Sequence, residues 1–425
     1  PWIEREMAKA KKTFKRSENP TLQAEPVYKA SAQTLAEISS IDGSYWKLCL
    51  HPLEFKRDRN PSLASLIAQS GSSNPFFDPA FLMASRDRMV KSQIHQLVVW
   101  EGLAEKQTPK LSIPLVYVGS SLLVPGHWKA VTHPFAPLGD PLVNKAEEQE
   151  VLIRFKSLLA SALDNDFPPI VLDNISQRSP FFDICKDEAF SNSLSCLEHV
   201  LGERASINQL DENNTFSFSR KRRREFDRLL KKLNEVGETS FEKASDPFDV
   251  LLRFEEFLLL ETRGWKGRNG TSIHAIKRDA AFARQSVNDL ARDGRCEIFT
   301  LRLDDKPIAS IILFKLNGGY FPWKITFDSI YSKYSPGSQL MVRLSQDICA
   351  KPDFEYADSL AMYGQSWMTM LWPDTLSFKR LILAKDNQTS EAIERSFEVK
   401  SGLKNFIRKF FPRPGRTHPS NSHLK

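Results

Sequence analysis

The amino-acid sequence predicts an α+β fold built on a mixed sheet, with two similar domains in tandem. Short runs rich in aromatic and β-branched residues, typical of strands, alternate with longer segments whose apolar residues recur at helical spacing. In the second half the order is strand, two helices, three strands, helix, strand, helix, strand, and the first half gives a similar order. With 425 residues, 41% of them hydrophobic, the chain is long enough for two or three domains.

In the first half the strands and helices are separated by clusters of Pro, Gly, Ser and Asn. The expected strands are 44–51, 94–100, 111–118, 128–132 and 167–172. The expected helices are one opened by Asp78-Pro79, one at 147–163 and one at 189–201. Residues 17–40 are expected to be a loose lead-in.

The second half is divided more sharply, because Asp246-Pro247 and the SPGS sequence at 335–338 each mark a helix start. Its expected elements are a basic helix at 219–236, a strand at 239–243, helices at 248–261 and 280–291, strands at 296–303, 307–316 and 320–328, a helix at 339–349, a strand at 355–361, a short helix over QSWMTMLW, and a final strand at 375–384. We expect four segments: a basic N-terminal arm (1–40), a first domain (41–205), a second domain (206–390) and a basic C-terminal tail (391–425).

The net charge of +7 is concentrated at the two ends of the chain. Residues 1–16 carry +4 and residues 401–425 carry +6, which leaves −3 for residues 17–400. A slightly acidic body argues against a nucleic-acid-binding protein. The basic helix at 219–236 has a narrow apolar stripe, so its arginines are expected to occupy a solvated face.

The five cysteines are scattered and lack the spacing of a metal site or a disulfide framework. This pattern favours a reducing cytoplasm, and the dispersed histidines predict no metal site. The sequence contains neither a secretory signal nor a run of about 18 apolar residues. We therefore expect a soluble cytoplasmic protein without a membrane span or a bound metal.

The most informative stretch runs from Tyr320 to Leu340 and reads YFPWKITFDSIYSKYSPGSQL. Its order of strand, tight Pro-Gly turn and helix leaves backbone N–H groups at the helix start pointing into one place. Such a helix start carries partial positive charge and binds phosphate or pyrophosphate without a lysine. The alternative is a plain strand-to-helix connection.

Four sequence features carry a family resemblance: the ETRGWKG loop, the DDKPIAS hairpin, the FPWKITFDSIYSKYSPGSQL segment and the pair Trp367 and Trp372. Together, over about 219–384, they resemble the GNAT-superfamily acetyltransferases of the cellulose-biosynthesis (CelD-like) group, which are relatives of the Fem-type double-GNAT transferases. The first half is similar through NPFFDPAFL (74–82) and HPFAPLGDPLV (133–143).

The resemblance implies two tandem GNAT-like acyl-CoA N-acyltransferase domains, with acetyl-CoA as the co-substrate in an opening between two splayed strands of the second domain. The residues implied to bind acyl-CoA are Trp323, Ile325, Ser335, Pro336, Gly337, Ser338, Gln339 and Leu340. The commonest phosphate loop of the superfamily has more glycines and a basic residue, whereas Gly337 stands alone here. The first domain has Asp140 at the matching place, where it would repel phosphates, so we expect that domain not to bind CoA.

Acyl transfer to an amine needs a neutral nucleophile, a polarised thioester carbonyl and a route for the proton. A backbone N–H within 323–326 is the candidate for polarising the carbonyl. The candidate bases are Glu261, Asp328 and Asp358, each with the alternative of being a cap or an ion-pair partner. The residues expected to bind the acceptor are Trp265 and Lys266, which would line its groove, and Lys324, which would meet a carboxylate or phosphate. The alternatives are packing of Trp265 against the glycine-rich loop and an exposed strand position for Lys324.

We therefore expect an acyl-CoA-dependent N-acyltransferase that acts on an amine of a sugar, metabolite or polysaccharide precursor, with a link to cellulose or exopolysaccharide biosynthesis. Two alternatives stay open: a Fem-like transferase that uses aminoacyl-tRNA, and a non-catalytic scaffold protein of polysaccharide synthesis. Nucleic acid is a partner only in the first alternative. Gly337→Asp is expected to abolish CoA binding without unfolding the protein.

Overall fold

The structure, a computed structural model, describes residues 33–39, 43–53, 61–103, 106–121, 124–187, 193–208, 220–264, 267, 270–364 and 366–410. Most of the predicted N-terminal arm lies outside these residues. Fourteen strands of the described residues join in one mixed sheet, and helices cover its faces. The predicted α+β fold with a mixed sheet is confirmed.

The first half contains eight strands and three α-helices among the described residues. They are β1 (Gln33–Ser39), β2 (Tyr45–Pro52), α1 (Pro61–Gln69), α2 (Pro79–Arg88), β3 (Ile94–Glu101), β4 (Thr108–Val118), β5 (His127–Ala130), β6 (Leu142–Val143), α3 (Glu148–Asp164), β7 (Ile170–Ser176) and β8 (Ser195–Ile207). Helix α2 begins where Asp78-Pro79 predicts it, because the Asp78 carboxylate accepts a hydrogen bond from the Ala80 N–H at 2.8 Å.

The second half contains six strands and six α-helices among the described residues. They are α4 (Arg220–Asn234), β9 (Thr239–Ala244), α5 (Pro247–Arg263), α6 (Lys277–Arg292), β10 (Cys296–Leu303), β11 (Lys306–Leu316), β12 (Gly319–Phe327), α7 (Pro336–Cys349), β13 (Tyr356–Asp358), α8 (Ser366–Thr369), β14 (Asp374–Ala384) and α9 (Asn387–Phe410). The predicted order of strands and helices from β9 to β14 is observed without exception.

The two halves repeat one pairing scheme and then exchange their last strands. Strands β2, β3, β4 and β5 pair antiparallel and β5 pairs parallel to β7, as β9 to β12 pair antiparallel and β12 pairs parallel to β13. Strand β8 pairs with β13 of the second half, and β14 pairs with β7 of the first. Since β8 and β14 also pair with each other, the two halves share a continuous sheet.

Two buried clusters of apolar residues matter for the site. The first core extends through both halves and includes Phe81, Phe282, Phe314 and Trp323. The second core lies in the second half, between α7 and strands β10 to β13, and includes Leu301, Leu313, Leu340, Leu344 and Trp372. Helix α7 therefore packs on one face of β12, while α5 and α6 pack on the other.

Two predictions made from local patterns are wrong. Residues 33–39, expected to be a lead-in, form β1 and pair with β2. The helix expected at 189–201 is instead β8 from Ser195 onward; residues 188–192 lie outside the described residues. Leu197, Val200 and Leu201 have helical spacing, but Val200 is 65% exposed, and pairing with β14 decides the conformation. Strand β8 also runs through the predicted domain boundary at 205/206.

The cysteines and the C-terminal region depart from expectation as well. Cys185 and Cys196 form a disulfide, with Cα atoms 5.3 Å apart, although their spacing predicts none. The cysteine pattern therefore no longer supports a reducing compartment. The first part of the predicted basic tail belongs to α9, which packs on β8 and β14. No helix among the described residues has both the length and the apolar character needed to cross a bilayer.

Candidate active site

The predicted donor site is built around an irregularity in strand β12. Ile312 of β11 pairs with Lys324, whereas Leu313 pairs with Pro322, so Trp323 is an extra residue and forms a β-bulge. The bulge places the Trp323 side chain in the first core. The Ile325 side chain, two residues further on, packs in the second core, so the alternation of the strand is reversed. Both side chains pack in the cores, so a ligand beside this part of β12 would meet mainly the backbone of the strand.

The bulged strand borders an opening in the sheet. Strand β13 pairs with β12 only at Gly319 and Tyr320, so from Phe321 onward the two parallel strands separate. Alternate backbone N–H and C=O groups of β12 point away from β11 and toward this opening. The stretch within 323–326 therefore borders the opening beside the bulge, where the donor site is predicted.

The start of α7 lies at the far end of the same strand. Ser335 has a left-handed backbone (φ 51°, ψ 50°), and Pro336 occupies the first helical position. The N–H groups of Gly337 and Ser338 have no preceding helical turn to bond, and the first turn contains no acidic residue. The side-chain amide of Gln339 donates to the Tyr334 carbonyl at 2.7 Å and holds the turn. Leu340 is buried in the second core. This helix start can hold an anion.

Gly337 faces the strand and not the solvent. A Cβ atom added there would lie 3.2 Å from Phe327 Cδ1 and 3.5 Å from Ile325 Cδ1. An aspartate at this position would push a charge against apolar side chains of β12, so the expectation that Gly337→Asp leaves the fold intact does not agree with the packing. Ser338, which is half-buried, is the better position for testing the turn.

Two of the three candidate bases lie at the carboxyl end of β12. The Asp328 carboxylate caps the 3-10 helix Ser329–Tyr334 by accepting from the Ile330 N–H at 3.0 Å. Glu261, near the end of α5, is 1% exposed and accepts from the Ile273 N–H at 2.7 Å. The end of α5 abuts this region, because a Cβ at Gly264 would lie 3.6 Å from the Phe327 carbonyl oxygen. Both carboxylates accept hydrogen bonds from backbone N–H groups, and Asp328 is the more accessible of the two.

Asp358 lies elsewhere. It ends β13 just past the last pair with β12, about seven residues before Asp328 along the strand direction, which is roughly 20 Å at about 3.3 Å per residue. Its carboxylate is 1% exposed, accepts from Arg204 Nη2 at 2.5 Å and also accepts from the Leu360 N–H at 2.9 Å. The structure thus gives Asp358 the surroundings of a buried ion-pair partner, apart from the other two carboxylates.

The acceptor residues are only partly described. Trp265 and Lys266 lie outside the described residues. Lys324 is half-buried, and its ammonium group lies 4.5 Å from the centroid of the Phe135 ring. The adjacent Trp323 donates its indole N–H to the Phe135 carbonyl at 2.9 Å. A first-half residue therefore forms a wall of the second-half site.

The sequence alone does not predict this wall. In the first half, β5 and β6 together take the place of β12, but they are separated by residues 131–141, which leave the strand. Phe135 belongs to this excursion, and so does His133. Burial, and then the charge of Lys324, lowers the pKa of His133 to about 4. Its Nδ1 accepts from the Phe135 N–H, so the ring is a neutral support. The only sequence signal was the HPFAPLGDPLV segment.

The same excursion closes the corresponding opening in the first half. Gly139 donates its N–H to the Asn174 carbonyl of β7 at 3.0 Å. The Asp140 carboxylate accepts from the Ser176 N–H at 2.7 Å and from the Ser176 hydroxyl at 2.5 Å. Asp140 was expected to face phosphates and repel them, but it is buried and bonded within the sheet. The excursion itself therefore bonds to β7 along the edge that follows the last β5–β7 pair.

Asp140 makes the stability of the protein depend on pH. Burial raises the pKa of this carboxyl to about 7, against the Ser176 hydrogen bonds and Arg204, which lower it. The native state then holds a proton that the unfolded chain releases near pH 4, so this contribution is fully present below pH 4 and is lost as the pH rises to about 7. We expect Asp140→Asn to lack this loss.

Chemical denaturation at pH 4.5, 6 and 8 measures the effect as the difference between the two proteins, since His51 and His133 titrate in both. A tenfold difference in proton affinity between the folded and unfolded states corresponds to about 1.4 kcal/mol of stability. A constant difference across this range would show that Asp140 does not titrate there.

No group of three or more His, Cys, Asp or Glu side chains in the described part of the chain could hold a metal ion.

Residues 220–363 match the family described as acetyltransferase (GNAT) domain. This span runs from α4 through β13 and contains the bulge, the opening and the start of α7. This part of the chain is therefore similar to GNAT acetyltransferase domains, a class of acyltransferase whose co-substrate is an acyl-CoA.

Solved structures with a similar chain course include FemX, with 11% identity over 79% of this chain and 98% of that one, at a TM-score of 0.49. The L-PGS from Bacillus licheniformis has 14% identity over 67% of this chain and 85% of that one, at a TM-score of 0.41. A tandem GNAT protein from the clavulanic acid biosynthesis pathway has 10% identity over 79% of this chain and 98% of that one, at a TM-score of 0.38. None of these likenesses indicates what this chain acts on. No curated protein matches the chain significantly.

Proposed function

We propose that the protein transfers an acyl group from acyl-CoA to an amine, and that its second half, 206–390, is the catalytic part. The observation that carries the proposal is the combination of the β12 bulge, the strands that separate beside it and the helix start at Ser335–Ser338, whose first turn has no acidic residue. The bulge end would hold the thioester, and the helix start would hold the pyrophosphate.

The first half, 41–205, would not bind a donor, because its own excursion bonds to β7 in the corresponding place. It would instead shape the acceptor groove, since Phe135 packs over Trp323 and Lys324. Lys324 would favour an acceptor that carries a carboxylate or phosphate near its amine. An amino sugar, a metabolite or a polysaccharide precursor, including one for cellulose or another exopolysaccharide, fits this description.

The chemistry needs little beyond alignment. A backbone N–H within 323–326 would donate to the thioester oxygen as negative charge develops on it. Asp328 is the base that the geometry favours over Glu261 and Asp358, because it is half-buried at the end of the bulged strand. Holding the amine against the thioester would supply much of the rate. We place the reaction in the cytoplasm because of the acyl-CoA donor, not because of the cysteines.

Calorimetry with acetyl-CoA tests the proposal. We expect binding in the micromolar range, and much weaker binding of acetyl-pantetheine, which has the thioester but lacks the nucleotide phosphates. A folded protein that binds neither ligand would overturn the proposal. The aminoacyl-tRNA-dependent transferase and the scaffold protein would then be the remaining hypotheses.

A further inference from the structure

Helix α4 is a concentrated positive surface in an otherwise acidic body. It has eight Lys and Arg residues and two acids in 15 positions, and it is about 22 Å long at about 1.5 Å per residue. Its exposed cations are Lys221, Arg223, Arg224, Arg228, Lys231 and Lys232. Because residues 17–400 carry −3 in total and α4 contributes +6, the rest of that body carries −9.

The helix is fixed in place by its apolar stripe. Leu233 is fully buried in the second core, and Phe226 packs against the same core. Helix α4 also contacts the 3-10 helix Ser329–Tyr334, whose Tyr331 packs on that core too. This 3-10 helix leads directly into Ser335 and the start of α7. Helix α4, with its exposed cations, is therefore held against the segment that leads into the start of α7.

We propose that α4 attracts and orients the nucleotide end of the acyl-CoA donor, so that the pyrophosphate reaches the α7 start. This inference rests on the proposed function. A CoA molecule carries a 3′-phosphate and a pyrophosphate, so its nucleotide end has the negative charge that a positive helix surface attracts. Electrostatic attraction of this kind raises association rates about 10-fold or more and is weakened by salt.

The charge distribution favours a single nucleotide over a nucleic acid. A nucleic acid longer than about 22 Å would extend past α4 onto a body that carries −9, where its phosphates would be repelled. A nucleotide fits within the length of the helix. The start of α7 supplies N–H groups for the pyrophosphate, and the cations of α4 remain for the 3′-phosphate. A donor with these two phosphate sites therefore fits the two features together.

The test compares two charge reversals of equal size in the full chain. Arg224→Glu with Arg228→Glu removes four units of charge from α4, and both side chains are exposed. Lys277→Glu with Arg292→Glu makes the same change on α6, which packs on α2 and α5. The measurements are association and dissociation rates of CoA and of 3′-dephospho-CoA at about 50, 150 and 500 mM salt.

We expect the α4 variant to bind CoA about 10-fold more slowly than the α6 variant at low salt, and the difference to vanish at high salt. Dephospho-CoA should show a smaller difference. Equal CoA rates in the two variants would overturn this inference and leave the proposed function intact. An α4 variant that keeps CoA binding but loses affinity for tRNA would likewise overturn it. If the unaltered protein binds no CoA, the proposed function fails as well.

Discussion

Ser338→Asp should lower the affinity for acetyl-CoA by at least about 100-fold without destabilising the fold. Ser338 is the third residue of α7, where its N–H lacks an intrahelical partner and where an acidic side chain is favourable for the helix. The added carboxylate would occupy the place of the pyrophosphate. Two like charges about 4 Å apart repel by about 4 kcal/mol at an effective dielectric of about 20, and 100-fold needs about 2.7 kcal/mol.

The matched controls are Ser338→Asn, which has nearly the same shape without charge, and Ser338→Ala, which leaves the backbone N–H groups in place. Both should bind within a few-fold of the unaltered protein, and calorimetry together with thermal denaturation measures the two properties separately. Undiminished binding by Ser338→Asp would show that the phosphates lie elsewhere. A lower melting temperature for Ser338→Asp alone would show that this helix start is not as open as its geometry indicates.

The strands and helices of the second half could be predicted well because the residues at their ends have strong local preferences for helix starts and turns. Asp246-Pro247 and the SPGS turn fix two helix starts, and the DDK and NGG turns join β10, β11 and β12 into hairpins. The start of α7 follows from the same signals, since a helix start needs only its own sequence. The bulge at Trp323, by contrast, depends on which β11 residue each β12 residue faces.

The missed features all depend on residues far apart in the sequence. Strand β8 has helical spacing at Leu197, Val200 and Leu201, but its conformation is set by β14, about 180 residues later. The excursion 131–141 matters because Phe135 meets Trp323 in the other half. Asp358 resembled a base because it ends a strand, and only the fold brings Arg204 to it. Sequence patterns identified these residues as notable but could not supply their partners.

Asp358→Ala should lower the free energy of unfolding by about 3–5 kcal/mol, the cost of leaving a buried charge without its partner. Arg204 is nearly inaccessible, with 2% of its side chain exposed. Two of its other contacts, a hydrogen bond to the Pro137 carbonyl at 3.2 Å and the Phe378 ring 3.9 Å away, are uncharged. The remaining carboxyl that interacts with Arg204 is Asp140, whose pKa of about 7 keeps it largely protonated below neutral pH. Asp328→Ala is the comparison, because it removes one capping hydrogen bond and should cost about 1 kcal/mol.

Denaturant unfolding of the two variants, together with their acyl-transfer rates, separates support from catalysis. If Asp328 is the base, Asp328→Ala loses activity at nearly full stability, whereas the activity of Asp358→Ala should fall only with its folded fraction. Arg204→Met combined with Asp358→Leu tests the cause of the stability loss, because it removes both buried charges and should recover most of the 3–5 kcal/mol. A stable but inactive Asp358→Ala would instead make Asp358 a catalytic residue and require a second position for the reacting amine.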